Sequence, residues 1–197
     1  MTNISRSIFD RLFFYYNRFR YLFLSNYRCL YTKRVHYLKM PICNQKTFFR
    51  GRGHISIGKD CVFGYKIGGF HYGGSIELQA RTSNSIIILC DKVMTNNNIF
   101  ICAANRIEIG EGTLIGSNVT IMDFEAHGIL PQDRKRMGDV GEVNVGNNVW
   151  IGNNVIILKD TKIGDNCIVA AGAVVKGTFL NNVIIGGIPA KIIKSID

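Results

Sequence analysis

One histidine stands where it could do chemistry. His127 closes the stretch IMDFEAH (121–127), with Asp123 four residues and Glu125 two residues ahead of it. A neutral imidazole, with an unperturbed pKa of about 6.5, is suited to take a proton from a poor nucleophile at neutral pH. In a strand, residues two apart share a face, so both carboxylates and the ring could point the same way. One carboxylate would then hold the imidazole tautomer, as the aspartate of a catalytic triad does, or accept from a substrate hydroxyl. Asp123 is favoured for that role over Glu125, and a solvated loop acid is the plainer alternative for either. A lone histidine is more often structural than catalytic. His127 differs from His36, His54 and His71, which read as structural or surface, because it sits at the root of a break in the chain's dominant pattern.

That pattern has a period of six. Val145, Ile151, Ile157, Ile163, Val169 and Val175 recur without a miss. Four places further on in each unit come Val149, Val155, Thr161, Cys167, Ala173 and Phe179, small or β-branched except the last. Gly146, Gly152 and Gly164 follow three of the leading aliphatics, and Asn147-Asn148, Asn153-Asn154 and Asp165-Asn166 come next. A helix repeats near 3.6 and a half-buried strand near 2, so a sustained six fits neither. It suits a coil of short parallel strands with a corner after each, one aliphatic pointing inward from every flat face. Gly, Asn and Asp tolerate the positive φ of tight corners. The expected fold is an all-β parallel β-helix, in preference to a sandwich of short strands.

The period is broken twice. Residues 69–85, with FHYGGS and RTSNS, predict distorted or interrupted early turns. Residues 122–144, with Pro131 and the run DRKR, read as a loop thrown out of the coil. A long excursion from a regular scaffold is usually functional. A two-residue slip at Ile107-Glu108-Ile109 resets the phase. Corner chemistry begins at Gly51, which divides the chain into a basic aromatic segment, 1–50, and a coil, 51–197, closed by residues 177–197.

The net charge of +10 belongs to the first segment. Residues 1–50 hold ten Lys and Arg against Asp10 alone, while 51–197 hold fourteen basic and thirteen acidic residues. Ile8, Leu12, Tyr15 or Tyr16, Phe19 and Leu22 or Phe23 fit one helical face, with Arg11 and Arg18 off it. No run approaches the roughly 18 apolar residues of a spanning helix, and Arg18 and Arg20 interrupt any signal-peptide core. Three readings compete for residues 1–40: packing on the coil or a neighbouring subunit, lying in an anionic membrane surface, and binding nucleic acid. The last is set aside, since no nucleic-acid-binding motif accompanies the charge. The six cysteines, 29, 43, 61, 90, 102 and 167, show no C-x-x-C and no metal-ligand spacing, so free thiols in a reducing, cytoplasmic compartment are expected.

Four motifs together carry a resemblance: IMDFEAH (121–127), VGNNVWIGNNV (145–155), IGDNCIVAAGAVV (163–175) and GGIPAKII (186–193). Over about residues 86–194 the chain resembles the hexapeptide-repeat acyltransferases, in the galactoside, maltose and nodulation-factor O-acetyltransferase branch related to serine acetyltransferase. The resemblance implies a left-handed coil, a homotrimer, and acetyl-CoA bound in the groove between subunits. It makes His127 the general base for a hydroxyl acceptor. It implies an oxyanion donor in the backbone N–H of Asn153, just after Gly152, and an acceptor-binding role for Asn96 in TNNN. Trp150 is implied beside the acyl donor. Ala170, Ala171, Gly172 and Gly187 would leave room for the pantetheine arm, and Lys191 and Lys194 would meet the CoA phosphates.

The function expected from this likeness is acetyl-CoA-dependent O-acetylation of a sugar, in a surface glycan or its precursor. The protein is expected to be cytoplasmic, and peripheral at the inner membrane surface if residues 1–40 lie in an anionic membrane. An amino-sugar N-acetyltransferase and a non-catalytic scaffold are the alternatives. A γ-type carbonic anhydrase is set aside because His127 has no histidine five residues away and none follows residue 71 except itself. No metal is expected.

Overall fold

The computed structural model describes residues 3–196, with the backbone alone for residues 3–7, 14, 18, 28 and 29. It is a left-handed parallel β-helix with three flat faces. The first face carries Val35–Tyr37, His54–Ile57, Ile86–Leu89, Arg106–Ile109, Glu142–Val145 and the end of Ile156–Ile163. The second carries Ile42–Cys43, Val62–Phe63, Met94–Thr95, Leu114–Ile115, Trp150–Ile151, Ile168–Val169 and Val183–Gly187. The third carries Thr47–Gly51, Ile76–Ala80, Ile99–Ala103, Thr120–Met122 and the start of Ile156–Ile163.

The six-residue period becomes a stacked core. Ile57, Leu89, Ile109, Val145 and Ile163 pair in register up the first face. Ile115, Ile151, Val169 and Ile185 do so up the second, and Leu78, Ile101, Ile121, Ile157 and Val175 up the third. The six aliphatics of residues 145–175 are each no more than 1 % exposed. Side chains alternate across a strand, so one slip would turn this whole set outward. Cys61 and Cys167 are fully buried at the small positions, and burial pushes the Cys61 thiol up to about 11. Cys61, Cys90, Cys102 and Cys167 are free thiols, and Cys29 lies outside the described side chains.

The corners divide their work between two residue types. Asn148, Asn154, Asn166 and Asn182 take positive φ, between 52° and 58°. The glycines after Val145, Ile151 and Ile163 serve close approach instead: a Cβ at Gly152 would lie 2.6 Å from the Ala171 backbone nitrogen. Corner amides are accepted by the next turn's side chain. Glu111 N–H donates to Asn147 Oδ1, Asn147 N–H to Asp165 Oδ1, and Asp165 N–H to Asn181 Oδ1.

Three sequence expectations are corrected in detail. The coil starts at Val35, ahead of Gly51, because Val35–Tyr37, Ile42–Cys43 and Thr47–Gly51 form a complete first turn. That turn lacks the Gly-Asx corners that would have announced it. Within 69–85, Ile76–Ala80 is a regular strand, and the interruption is the loop 64–75. Gln45 and Asn97 hold that loop, Asn97 by donating to Tyr65 O and Gly69 O. Phe179 does not occupy a small position: the strand register shifts, and Phe179 pairs with Ile163 in the aliphatic stack.

Each end of the coil is closed differently. At the start, the helical segments Asn3–Arg18, Phe19–Leu24 and Ser25–Tyr31 lie over the first turn. Leu22 is fully buried there, and buried Asn26 behaves as a missing strand. Its Oδ1 accepts from Phe49 N–H and its Nδ2 donates to Thr47 O, satisfying the edge of Thr47–Gly51. At the far end Ala190–Ser195 folds back antiparallel on Val183–Gly187.

Candidate functional site

The loop leaves the coil after Met122, at the corner from the third face to the first, and returns at Glu142. It is an irregular antiparallel hairpin, with Phe124 bridged to Val140 and Glu125 N–H donating to Asp139 O. Phe124 roots it over Cys102 and Ala104, with the Arg81 guanidinium 4.8 Å above its ring. His127 projects from this hairpin and is exposed.

The imidazole is oriented by main chain. His127 Nδ1 lies 2.7 Å from the Arg134 carbonyl oxygen. A carbonyl only accepts, so Nδ1 carries the proton, and in the neutral ring the lone pair is on Nε2. That is the tautomer a general base requires.

Asp123 does not hold the ring. It is fully buried, and its two oxygens accept from the backbone N–H groups of Ala104 (2.6 Å) and Asn105 (2.9 Å). Burial raises its pKa above the ordinary carboxylate value, against the pull of those N–H donors. The strand ends at Met122, so the shared face expected for Asp123, Glu125 and His127 does not exist. Asp123 anchors the loop root, and Gly141 N–H donates to its carbonyl 2.7 Å away.

Glu125 lies beneath the hairpin. It lines a cavity of about 380 Å³ together with Leu130, Asp133, Arg136 and Met137. Its Oε1 is 3.5 Å from Lys159 Nζ, and its buried Oε2 has no partner among the described residues. Lys159, only 12 % exposed, also reaches Asp160 at 3.4 Å and Asp139 at 3.8 Å. Burial alone would lower its pKa; the hydrogen bond to Asp160 and the charges of Glu125, Asp160 and Asp139 outweigh that and raise it. Neither Lys159 nor the Arg134 carbonyl was singled out from sequence. A backbone acceptor leaves no mark in residue type. Lys159 could have been noticed, because Leu158-Lys159-Asp160 replaces the Gly-Asx-Asn corner of its neighbours.

Asn96, Gly152, Asn153, Ala171 and Gly172 lie at corners from the second face to the third, while Trp150, Lys191 and Lys194 lie on the second face and its closing strand. Gly152 and Ala171 sit one above the other on adjacent turns, and Gly172 N–H donates to Asn153 O. Asn153 Oδ1 accepts from Ser117 N–H, as the other corner side chains do. The next turn breaks the series, because Ala171 offers no side-chain oxygen. The Asn153 N–H is therefore left without an acceptor among the described residues, and open space surrounds Gly172. Trp150 stands outward, 57 % exposed, in register with Leu114 and Met94 on the second face. Lys191 and Lys194 are exposed on the last strand, opposite Gly186 and Ile184. Asn96 is half-buried, its Oδ1 accepting from Asn97 N–H. One chain thus places His127 and Asn153 at different corners. Among the described residues no group of three or more His, Cys, Asp and Glu could hold a metal.

This coil and this stack of corners are those of a hexapeptide-repeat protein. Residues 142–177 match the family model "Bacterial transferase hexapeptide (six repeats)". The Escherichia coli K12 protein named "Putative lipopolysaccharide biosynthesis O-acetyl transferase WbbJ" is 32 % identical over 172 residues, covering 82 % of both chains. The chain belongs to the hexapeptide-repeat acyltransferases and is an acyltransferase. Galactoside O-acetyltransferase of the same strain is 35 % identical over 104 residues, 52 % of this chain and 50 % of that one. A crystal structure of the hexapeptide-repeat acetyltransferase VCA0836 from Vibrio cholerae is 28 % identical, with a TM-score of 0.54 over 56 % of this chain and 63 % of that one.

Proposed function

We propose that the protein transfers the acetyl group of acetyl-CoA to a sugar hydroxyl. The tautomer of His127 carries this reading: Nδ1 is occupied by the Arg134 carbonyl, so the free Nε2 is a base. In the reaction Nε2 takes the hydroxyl proton while the oxygen attacks the thioester carbonyl. The tetrahedral oxyanion accepts from the open N–H of Asn153, a donor fixed before reaction. The C–S bond then breaks, the imidazolium returns its proton to the departing thiolate, and the products are an acetyl ester and CoA.

Because the base and the oxyanion donor lie at different corners, a complete site needs His127 of one protomer facing Asn153 of a neighbour. A homotrimer in which the loop-bearing corner of one protomer packs against the second face of the next would satisfy this. Met94, Leu114 and Trp150 form an exposed apolar stripe there, 44 to 57 % accessible in the single chain. The pantetheine arm would pass Gly152, Ala171 and Gly172 toward Lys191 and Lys194, with Trp150 beside it. Asn96 and the unpaired Oε2 of Glu125 are the acceptor-side groups. A surface glycan or its precursor is the proposed acceptor, supported by the name of the 32 %-identical relative.

The test is CoA release with nucleotide sugars, free sugars, polysaccharide and amino sugars. His127→Ala should lower turnover by roughly 10²- to 10⁴-fold with folding intact. Unchanged turnover would remove the assigned base, and transfer to amino sugars alone would replace ester with amide formation.

A further inference from the structure

The amino-terminal helices carry a surface the coil does not use. Phe9, Leu12, Phe13 and Tyr16 follow helical spacing along Asn3–Arg18 and are 71, 60, 65 and 57 % exposed. Phe19 and Leu24 on the next segment remain 53 and 61 % exposed, while Leu22 and Asn26 make the contact with the first turn. A contiguous apolar surface of this kind marks a contact site. Beside it, Phe23, Leu30, Val35 and Tyr37 line an open groove of about 420 Å³.

The charge selects the occupant. Ten basic residues stand against one acid in residues 1–50; Arg11 and Arg20 are exposed, Arg11 on the side of the helix away from the rings. A second copy of the coil has no excess of negative charge to offer, since residues 51–197 are nearly balanced at fourteen basic and thirteen acidic. An anionic bilayer offers both partners at once, phosphates at the surface and hydrocarbon just below. Among the described residues no helix is long and apolar enough to cross a membrane, so the fitting geometry is a helix lying in the surface plane. Tyrosine suits the headgroup level, having an apolar ring and a polar tip.

We propose that Asn3–Arg18 docks the protein on an anionic phospholipid surface, with Phe9, Leu12, Phe13 and Tyr16 below the headgroups and Arg11 and Arg20 on the phosphates. This holds whether or not the chain transfers acetyl groups. If it does, docking brings the site to acceptors carried on lipid.

Flotation of the full-length protein tests it without substrates. The vesicles are phosphatidylcholine alone, or phosphatidylcholine with about one third phosphatidylglycerol. Binding should be at least roughly tenfold tighter to the anionic vesicles and should weaken with added salt. Arg11→Ser/Arg20→Ser should cost about twenty-fivefold, at about fivefold per arginine. Phe9→Ser/Phe13→Ser should abolish flotation with melting temperature and sedimentation unchanged, because both rings are exposed. Failure to float with either vesicle, or flotation indifferent to these substitutions, overturns the proposal. A smaller sedimenting species in the phenylalanine variant also overturns it, and assigns the surface to a second copy of the chain.

Discussion

The corners of the coil and the root of the loop are both built from Asx side chains accepting backbone N–H groups, yet they differ in redundancy. At the corners each bond is one of a column. Asn148 donates to Asn166 at 2.9 Å, Asn166 donates to Asn182 at 3.0 Å, and the bonds are exposed to water. At the loop root one buried carboxylate, Asp123, serves two amides, and no neighbouring turn repeats it. A column spreads a loss over its members and over solvent. A single buried anchor does not, so the part of the molecule that carries His127 depends on fewer, individually larger contacts.

The sharpest way to break that contrast is Asp123→Ala. Two amides, Ala104 buried and Asn105 partly so, would lose their acceptor. At about 1–3 kcal/mol for a stranded buried donor, the cost is roughly 2–4 kcal/mol. Turnover should fall with it, because the hairpin bearing His127 loses its root. Asp123→Asn keeps one acceptor and should lose about half as much. Urea denaturation alongside CoA release measures both, and an unaltered midpoint for Asp123→Ala would show that the root is held elsewhere.

The coil was readable because every signal in it is repeated. Val145 to Val175 announce the same inward position six times, and one exception such as Phe179 cannot hide the phase. The first turn, 35–51, was not readable, since its corners lack glycine and its edge is finished by Asn26 from a helix distant in sequence. The place of His127, exposed at the break in the coil, was legible in sequence. The partner of its ring was not, because the strand ends at Met122, before Asp123 and Glu125 could share a face with it, and because a carbonyl rather than a carboxylate holds the ring. The open N–H of Asn153 has a cause visible in sequence after the fact: Ala170-Ala171-Gly172 interrupts the Gly-Asx-Asn corner and removes the oxygen that would have covered it.

Lys159 offers an intermediate case, since it is unique like Asp123 but its carboxylate partners reach water. Asp160 and Asp139 are 53 and 79 % exposed on their side chains. Lys159→Met should therefore lower the melting temperature by a small but measurable amount while loosening Glu125 and Asp139, on the two strands of the hairpin. Misplacing His127 by about an ångström would cost on the order of ten- to a hundredfold in turnover. The sign of the pH effect follows from the raised pKa of Lys159. Its contribution to stability is complete below the ordinary lysine value of 10.5 and is lost as pH rises through the higher folded value. The difference between wild type and Lys159→Met in thermal scans should be constant from neutral pH to 10.5 and shrink above it. A difference that grows in alkali would contradict the ion-pair assignment.

The smallest effect belongs to the columns themselves. Asn166→Gly removes both ladder bonds of Asn166 but suits its φ of 57°. Solvent replaces the lost partners, so the expected cost is no more than about 0.5 kcal/mol. Asn166→Ala removes the same bonds and adds a Cβ in a left-handed conformation, for about 1 kcal/mol more. Neither should alter turnover, because the first-to-second corner carries none of the proposed reacting groups. The two variants separate bond from backbone within one position. A loss from Asn166→Gly as large as that from Asp123→Ala would mean that the columns are cooperative rather than redundant, and the contrast between corner and loop root would fail.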